Sequence, residues 1–353
     1  MKKGLIVHNP IIRRKNHYVP EVYLKNFADA NGNVWVYRLS VEHSNVPAWR
    51  PHSPAGIAYH SHLYTRLAAG AESDEIEQWF EREFETPAKE AIDRAINDER
   101  LSPAHWRDLI RFAAAQDVRT PARLLERLPE WQKTTEPLLN EVLRGVVERL
   151  EVANRTGVPL QPGPPDPNSE LLPIRLRRDP IPGTDMTGLR LEAVVGRGMW
   201  LYTLRHLLTK TANMLLEYRW TIVCPFGDLR WFTSDDPVVK LNYNSQSDYN
   251  LGGSWGQTGS EILLPLSPTH MLYTQVGERP PKRGWAFPER ETIMLRRIIG
   301  KHAHRMIIAS APTADIVELR TRTVSSQVVR SEREQWEKWH DEQTRAEQEL
   351  MSS

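Results

Sequence analysis

Thiol chemistry is almost missing from this chain, in which Cys224 is the single cysteine. That excludes an internal disulfide framework and a zinc site built from the chain's own thiolates. No apolar run reaches the roughly 18 residues that a membrane-spanning helix needs. The basic-then-apolar start, MKKGLIVHNP, carries too short an apolar part for a secretory leader. Net charge is equally scarce: 46 Lys and Arg stand against 45 Asp and Glu, giving +1 over 353 residues. Such a balance supplies no general pull towards nucleic acid or anionic membrane, so binding of that kind needs a local patch. There is no internal repeat. LGGSWGQTGS lacks the lysine and following helix of a phosphate-cradling loop, and Ser234 lacks the Gly-x-Ser-x-Gly elbow of a hydrolase triad. The expectation from these absences is a cytoplasmic protein without a membrane partner.

What is present supports a folded core. Hydrophobic residues make up 40% of the chain and charged residues 26%, which argues against global disorder. GNVWVYRLS alternates as a strand after an Asn-rich turn. A helix is expected from 74 to 98, with Ser73 to cap it and Asp74 and Glu75 in its first turn. A second begins at Ser102-Pro103 and stops before Pro121, and a third runs from about 122 to 154. In the third, Leu124, Leu128, Leu138, Leu139, Val142 and Val146 are expected to face inward. The Pro- and Gly-dense stretch 155–190 reads as a loop without regular structure. Helix returns over 195–218 and 289–302. RWTIVCP, LRWFTS, EILLPLS, HMLYTQV and RMIIAS read as strands. Helices early and strands late give an α+β class: helices packed on a mixed or antiparallel sheet formed mainly by the C-terminal half. The division expected is one domain over 1–323 and a charged helical tail over 324–353, with Trp336 and Trp339 to dock it or to pair it with a second copy.

Several stretches together resemble a largely bacterial family, domain of unknown function 4238. They are HYVPEVYLKNF near the start, LYT at 63–65, EIEQWFEREFE from 75, RFAAAQDVRTP from 111, RWFTSDDPVV from 230, ILLPLSP from 262, and the helix leading into AHRMIIAS. The resemblance implies Asn at two positions where this chain has Asp236 and Arg296. It implies no activity.

The residues themselves point to a polar cluster. Glu77 precedes Phe80, Phe84, Ala88, Ala91 and Ala95 by 3, 7, 11, 14 and 18 residues, which puts a carboxylate inside the apolar stripe. Gln116 and Arg119 share the inward face of Leu109, Phe112 and Ala113. Buried ionic groups are costly unless paired, so Arg119 is expected to meet Glu77 or Asp235. Asp235 and Asp236 end a strand before Pro237, a place for general-base or metal chemistry and equally for an Asx-turn. His17, beside Tyr18 and Phe27, faces the same cluster in this reading.

Two functions of different class stay open. In one, His17, Glu77, Gln116, Arg119 and Asp235 form the site of a metal-dependent nuclease or phosphodiesterase. His17, Glu77 and Asp235 would hold Mg²⁺ or Mn²⁺, and Arg119 would meet a phosphorylated or nucleic-acid substrate. In the other, the chain is a binding or regulatory protein whose polar network only fixes the fold. The pairs His60/His62 and His302/His304 have metal-ligand spacing on a strand, and Arg297-x4-His302 has the spacing of some helical ribonucleases. All three are short patterns with bland alternatives. Arg13, Arg14 and Lys15 read as a solvated basic edge.

Overall fold

The computed structural model describes residues 12–68, 70–184, 187–245 and 248–352, so the leader-like start lies outside the described residues. Six strands make the larger sheet, in the order Asp248–Asn250, Val239–Ser245, Glu261–Pro265, Met271–Gln275, Thr221–Cys224 and Trp285–Ala286. Its pairs are antiparallel except the last, which is parallel. Thr233–Ser234, Met306–Ala309, Val34–Arg38 and Trp49–His52 form a second, antiparallel sheet of four. The chain is therefore α+β, with the main sheet in the C-terminal half as expected. The second sheet also recruits the N-terminal strand.

The early helices build the wall behind these sheets. The segment expected as one helix is interrupted: Glu75–Phe80 and Thr86–Ile96 are α-helical, and Glu81–Glu85 between them is a π turn. Pro87 explains the interruption, because it has no N–H for the preceding turn and its ring crowds that turn's carbonyl. Asp74 holds the N-cap position in place of Ser73, whose Oγ accepts from the Glu75 amide at 3.3 Å. Helix Pro103–Val118 begins with a Ser102–His105 capping box. It ends because Thr120 (φ −80°, ψ 152°) must be extended before Pro121. Phe80, Phe84, Ala88, Ala91, Leu109, Phe112 and Tyr23 meet in one buried cluster.

Two expectations are corrected. Helix Pro121–Thr156 buries only Pro121, Leu124 and Thr135, while Leu138 and Val142 are 58% and 48% exposed. Its apolar stripe runs on past the body that could cover it. In the stretch read as loop, Ile174–Pro180 and Thr187–Ala193 pair over seven residues as an antiparallel hairpin. Alternating Ile174 and Leu176 against Leu189 and Leu191 outweighed the local Pro and Gly, and Gly183 takes the left-handed conformation at the turn (φ 79°). The tail is the helix Ser326–Ser352, and it lies along its own chain. Trp336 stacks on His60 at 4.2 Å, Trp339 is buried, and Arg197 bonds Glu347, Thr344 and His340. Among the described residues, no helix is long and apolar enough to cross a membrane.

Candidate functional site

Four of the five residues singled out from the sequence converge where the π turn passes the end of helix Pro103–Val118. Arg119 is fully buried. Its Nη1 donates to Glu85 at 2.7 Å, its Nε donates to the Tyr18 carbonyl at 3.0 Å, and the guanidinium lies 4.8 Å over the Phe80 ring. With its amide oriented by these donors, Gln116 accepts from Nε at 3.1 Å and from Nη2 at 3.2 Å. The Tyr64 hydroxyl donates to the Arg119 carbonyl at 2.7 Å. The ion-pair partner is thus Glu85, in place of the expected Glu77 or Asp235. In an uninterrupted helix Glu85 would stand about 80° around the axis from Glu77. The extra residue of the π turn brings it back towards the same face, and this the sequence pattern did not show.

Glu77 has a different character. Burial raises its carboxyl to about 7, against the Arg119 charge that favours ionisation; the Glu85 carboxylate adds to the rise. Among the described residues its Oε2 is buried without a hydrogen-bond partner. His17 lies on the strand Lys15–His17, paired with Tyr59–Ser61. Burial lowers its pKa, and the Glu21 and Glu85 carboxylates oppose that shift. The His17 backbone amide favours the Glu77 carboxylate, while the ring sits 5.5 Å from Tyr59 and bonds the backbone at Ala55; its Nε2, 3.6 Å from Glu21, has no hydrogen bond among the described residues. Glu77 and His17 therefore carry the unsatisfied polar atoms of an otherwise saturated cluster.

Asp235 is placed elsewhere. Its Oδ1 accepts from the His304 and Met306 amides at 3.0 and 3.3 Å, and its Oδ2 from the Arg305 amide at 2.8 Å. Both oxygens tie one sheet strand to the chain entering its neighbour. Burial raises this carboxyl to about 7, against the three amides. The side chain is a brace, and the set His17, Glu77 and Asp235 is not gathered around one point. Asp236 heads a second cluster. It bonds Thr120 Oγ1 at 3.0 Å, His302 Nε2 at 3.1 Å, and Arg123. Burial opposes its ionisation, but the His302 hydrogen bond and the His302 and Arg123 charges outweigh burial and hold it well below the usual carboxylate range. Asp117 is held by Lys240 Nζ at 2.7 and 2.8 Å and by Trp255 Nε1 at 2.7 Å. Sequence reading missed Glu85 as the ion-pair partner, and Asp117, Arg123 and Lys240; it weighed His302 only as a metal ligand or as part of an Arg-x4-His spacing, not as the partner of Asp236. The available signal was the four-residue spacing of Arg119 and Arg123 across the Thr120-Pro121 break. Arg296, like Asp236, has structural partners: Asp315 at 2.5 Å, the Arg230 carbonyl and the Phe232 ring.

The histidine pairs do not behave as strand pairs. His62 has φ 55°, so it leaves the strand that ends at Ser61, while the ring of His60 stacks on Trp336. The His62 ring stacks on His340 at 4.2 Å. His62, Glu72 and His340 form the group of three potential ligands within 4.8 Å found among the described residues. His340 Nε2 meets Glu72 at 2.9 Å, and its Nδ1 meets Arg197 Nη1 at 3.0 Å. Because a guanidinium can only donate, Nδ1 must be the acceptor and Nε2 the protonated donor to Glu72. Metal binding through Nε2 would have to displace that proton and the Arg197 contact. Of the basic edge, Arg13 is paired with Glu81 and Lys15 sits 4.1 Å over Tyr59.

The fold and these clusters define an α+β protein organised around buried, charge-paired polar groups at a helix–sheet junction. The chain belongs to the family described as a protein of unknown function (DUF4238), whose family model matches residues 15–313. Neither a curated protein nor a solved structure matches it significantly.

Proposed function

We propose that this protein is a hydrolytic enzyme acting on a phosphorylated substrate, with Glu77 as its acid–base group and His17 beside it. The observation that supports this is the buried, unpartnered Oε2 of Glu77 in a cluster where the neighbouring charges are satisfied. A carboxyl near neutrality can take a proton from the water that attacks phosphorus and deliver one to the leaving oxygen. In this reading Arg119, Glu85 and Gln116 are positioning residues, because Arg119 has no donor left pointing to solvent. Asp235 is structural. A divalent metal shared by His17, Glu77 and Asp235 is not part of the mechanism, since the Asp235 oxygens are taken by backbone amides.

One observation favours the second reading, a binding protein with a purely structural network: Arg119 is wholly enclosed, and each of its three side-chain nitrogens already has a partner within the protein. The two readings separate on paired measurements with RNA, DNA and nucleotides, with Mg²⁺ or Mn²⁺ and with EDTA. Under the enzyme reading Glu77→Gln abolishes turnover without destabilising the fold, and EDTA does not stop the reaction. Arg119→Met, which strands Glu85, lowers unfolding free energy by about 3–5 kcal/mol in either case. Absence of turnover of every substrate by the wild-type protein would remove the enzyme reading.

A further inference from the structure

A second feature lies away from Glu77, where the start of helix Pro103–Val118 meets the edge of the larger sheet. There a cleft of about 670 Å³ opens between the helix, residues 216–221 and the loop 279–283. That volume is within the range of ligand sites, about 300–1,000 Å³. Among the described residues, five cations line it (Arg107, Arg219, Arg279, Lys282 and Arg283) and no carboxylate does, although acids and bases balance over the whole chain. Among the described residues, Arg219, Arg279, Lys282 and Arg283 have no ion-pair partner. Arg283 Nη2 is buried and without any hydrogen bond. Four cations free of carboxylates around one concavity, one of them with a buried unpartnered nitrogen, mark a place suited to an external anion.

The cleft is also stiff and aromatic. Trp106 and Trp220 both line it, and both pack their inner faces on the core. Trp220 is fixed further by its Nε1 donating to the Leu215 carbonyl at 2.8 Å. The loop carrying three of the cations is bracketed by Gly277 and Gly284, each in the left-handed conformation (φ 77° and 79°). Pro280 and Pro281 stiffen its middle, and the Gly284 amide holds it to the Ile222 carbonyl at 2.8 Å. Cations that track phosphates beside fixed rings that stack bases are the combination that holds a single strand. A duplex shows its phosphates but hides its base faces, and an acidic peptide or an anionic membrane offers no bases to stack on Trp106 and Trp220.

We infer that this cleft binds single-stranded nucleic acid. As the substrate class for the hydrolysis at Glu77 the inference rests on that reading; as a binding surface it is tested separately. Anisotropy of labelled dT12 and rU12, a 12-base-pair duplex and phosphatidylserine vesicles supply the test. Four phosphate contacts give a log–log salt slope of about −2.8 for a single strand, a loss of roughly fifty-fold between 50 and 200 mM salt. The triple variant Arg279→Ser, Lys282→Ser, Arg283→Ser is expected to lower single-strand affinity and bring the slope to about −0.7. A control with equal charge loss on the exposed long helix, Lys133→Ser, Arg144→Ser, Arg155→Ser, should bind as wild type does. No binding of either oligonucleotide, binding undiminished in the triple variant, or equal binding of duplex or vesicles overturns the inference. Glu77→Gln should bind the oligonucleotides normally, so failure of hydrolysis and failure of the cleft give different results.

Discussion

Glu77 and Asp236 are both carboxylates withdrawn from water, yet they titrate in opposite directions. Asp236 receives Thr120, His302 and Arg123 and stays ionised; Glu77 has an oxygen without a donor, and burial raises it to about 7. The sign of the consequence follows. An unfolded glutamate releases its proton near 4.5, below the folded value, so the folded state holds more protons between the two. Glu77 therefore costs stability as pH rises from about 4.5 to about 7, up to about 3 kcal/mol. Glu77→Gln removes that cost. Urea unfolding at pH 4.5 and pH 8 should show variant and wild type alike at the lower pH and the variant more stable at the higher. A variant that is less stable at pH 8 would mean that the Glu77 charge is a required partner of Arg119.

At the scale of elements, two helices depart from what their periodicity says, each for a reason outside its own stripe. In the first, Pro87 opens a π turn that swings Glu85 towards Arg119. In the second, the long helix outruns the core, leaving Leu138 and Val142 in water. Replacing both by Lys should change unfolding free energy by no more than about 0.5 kcal/mol each, the usual range for surface positions. Leu124→Ala, at the buried end of the same helix, should cost about 2–5 kcal/mol. Equal losses at both ends, measured by chemical denaturation, would mean that the outer stripe is covered in solution.

For the whole molecule, the tail helix is the long-range closure. Arg197, on a helix 146 residues earlier, donates its backbone amide to Gln343 at 2.8 Å and its guanidinium to Glu347 at 2.5 Å. Trp339 and Leu350 are buried by the same docking. Deleting residues 326–353 should leave a chain that still unfolds cooperatively but is about 3–5 kcal/mol less stable, the cost typical of losing a buried Trp. A thermal melt that does not move would show that the docking contributes nothing to the fold.

Periodicity and end signals determined much of this protein. The 3.6-residue stripe through Ala88, Ala91 and Ala95, the Ser102-Pro103 start and the alternation in Val34–Arg38 each encode a local geometry that survives in the fold. The inward placing of Glu77, Gln116 and Arg119 was legible for the same reason: a polar residue on an apolar stripe has nowhere else to point. Partners were not legible. Arg119 had two acidic candidates, Glu77 and Asp235, and the π turn brought in Glu85 instead. Asp235 and Asp236 are adjacent in sequence. One faces the amides of 304–306 and the other faces Arg123 and His302, because alternation at a strand's end sends neighbours to opposite sides. The cationic cleft draws Arg107, Arg219 and Arg279 from three distant stretches. No local pattern announces it, since charges gather in space only after the chain has folded.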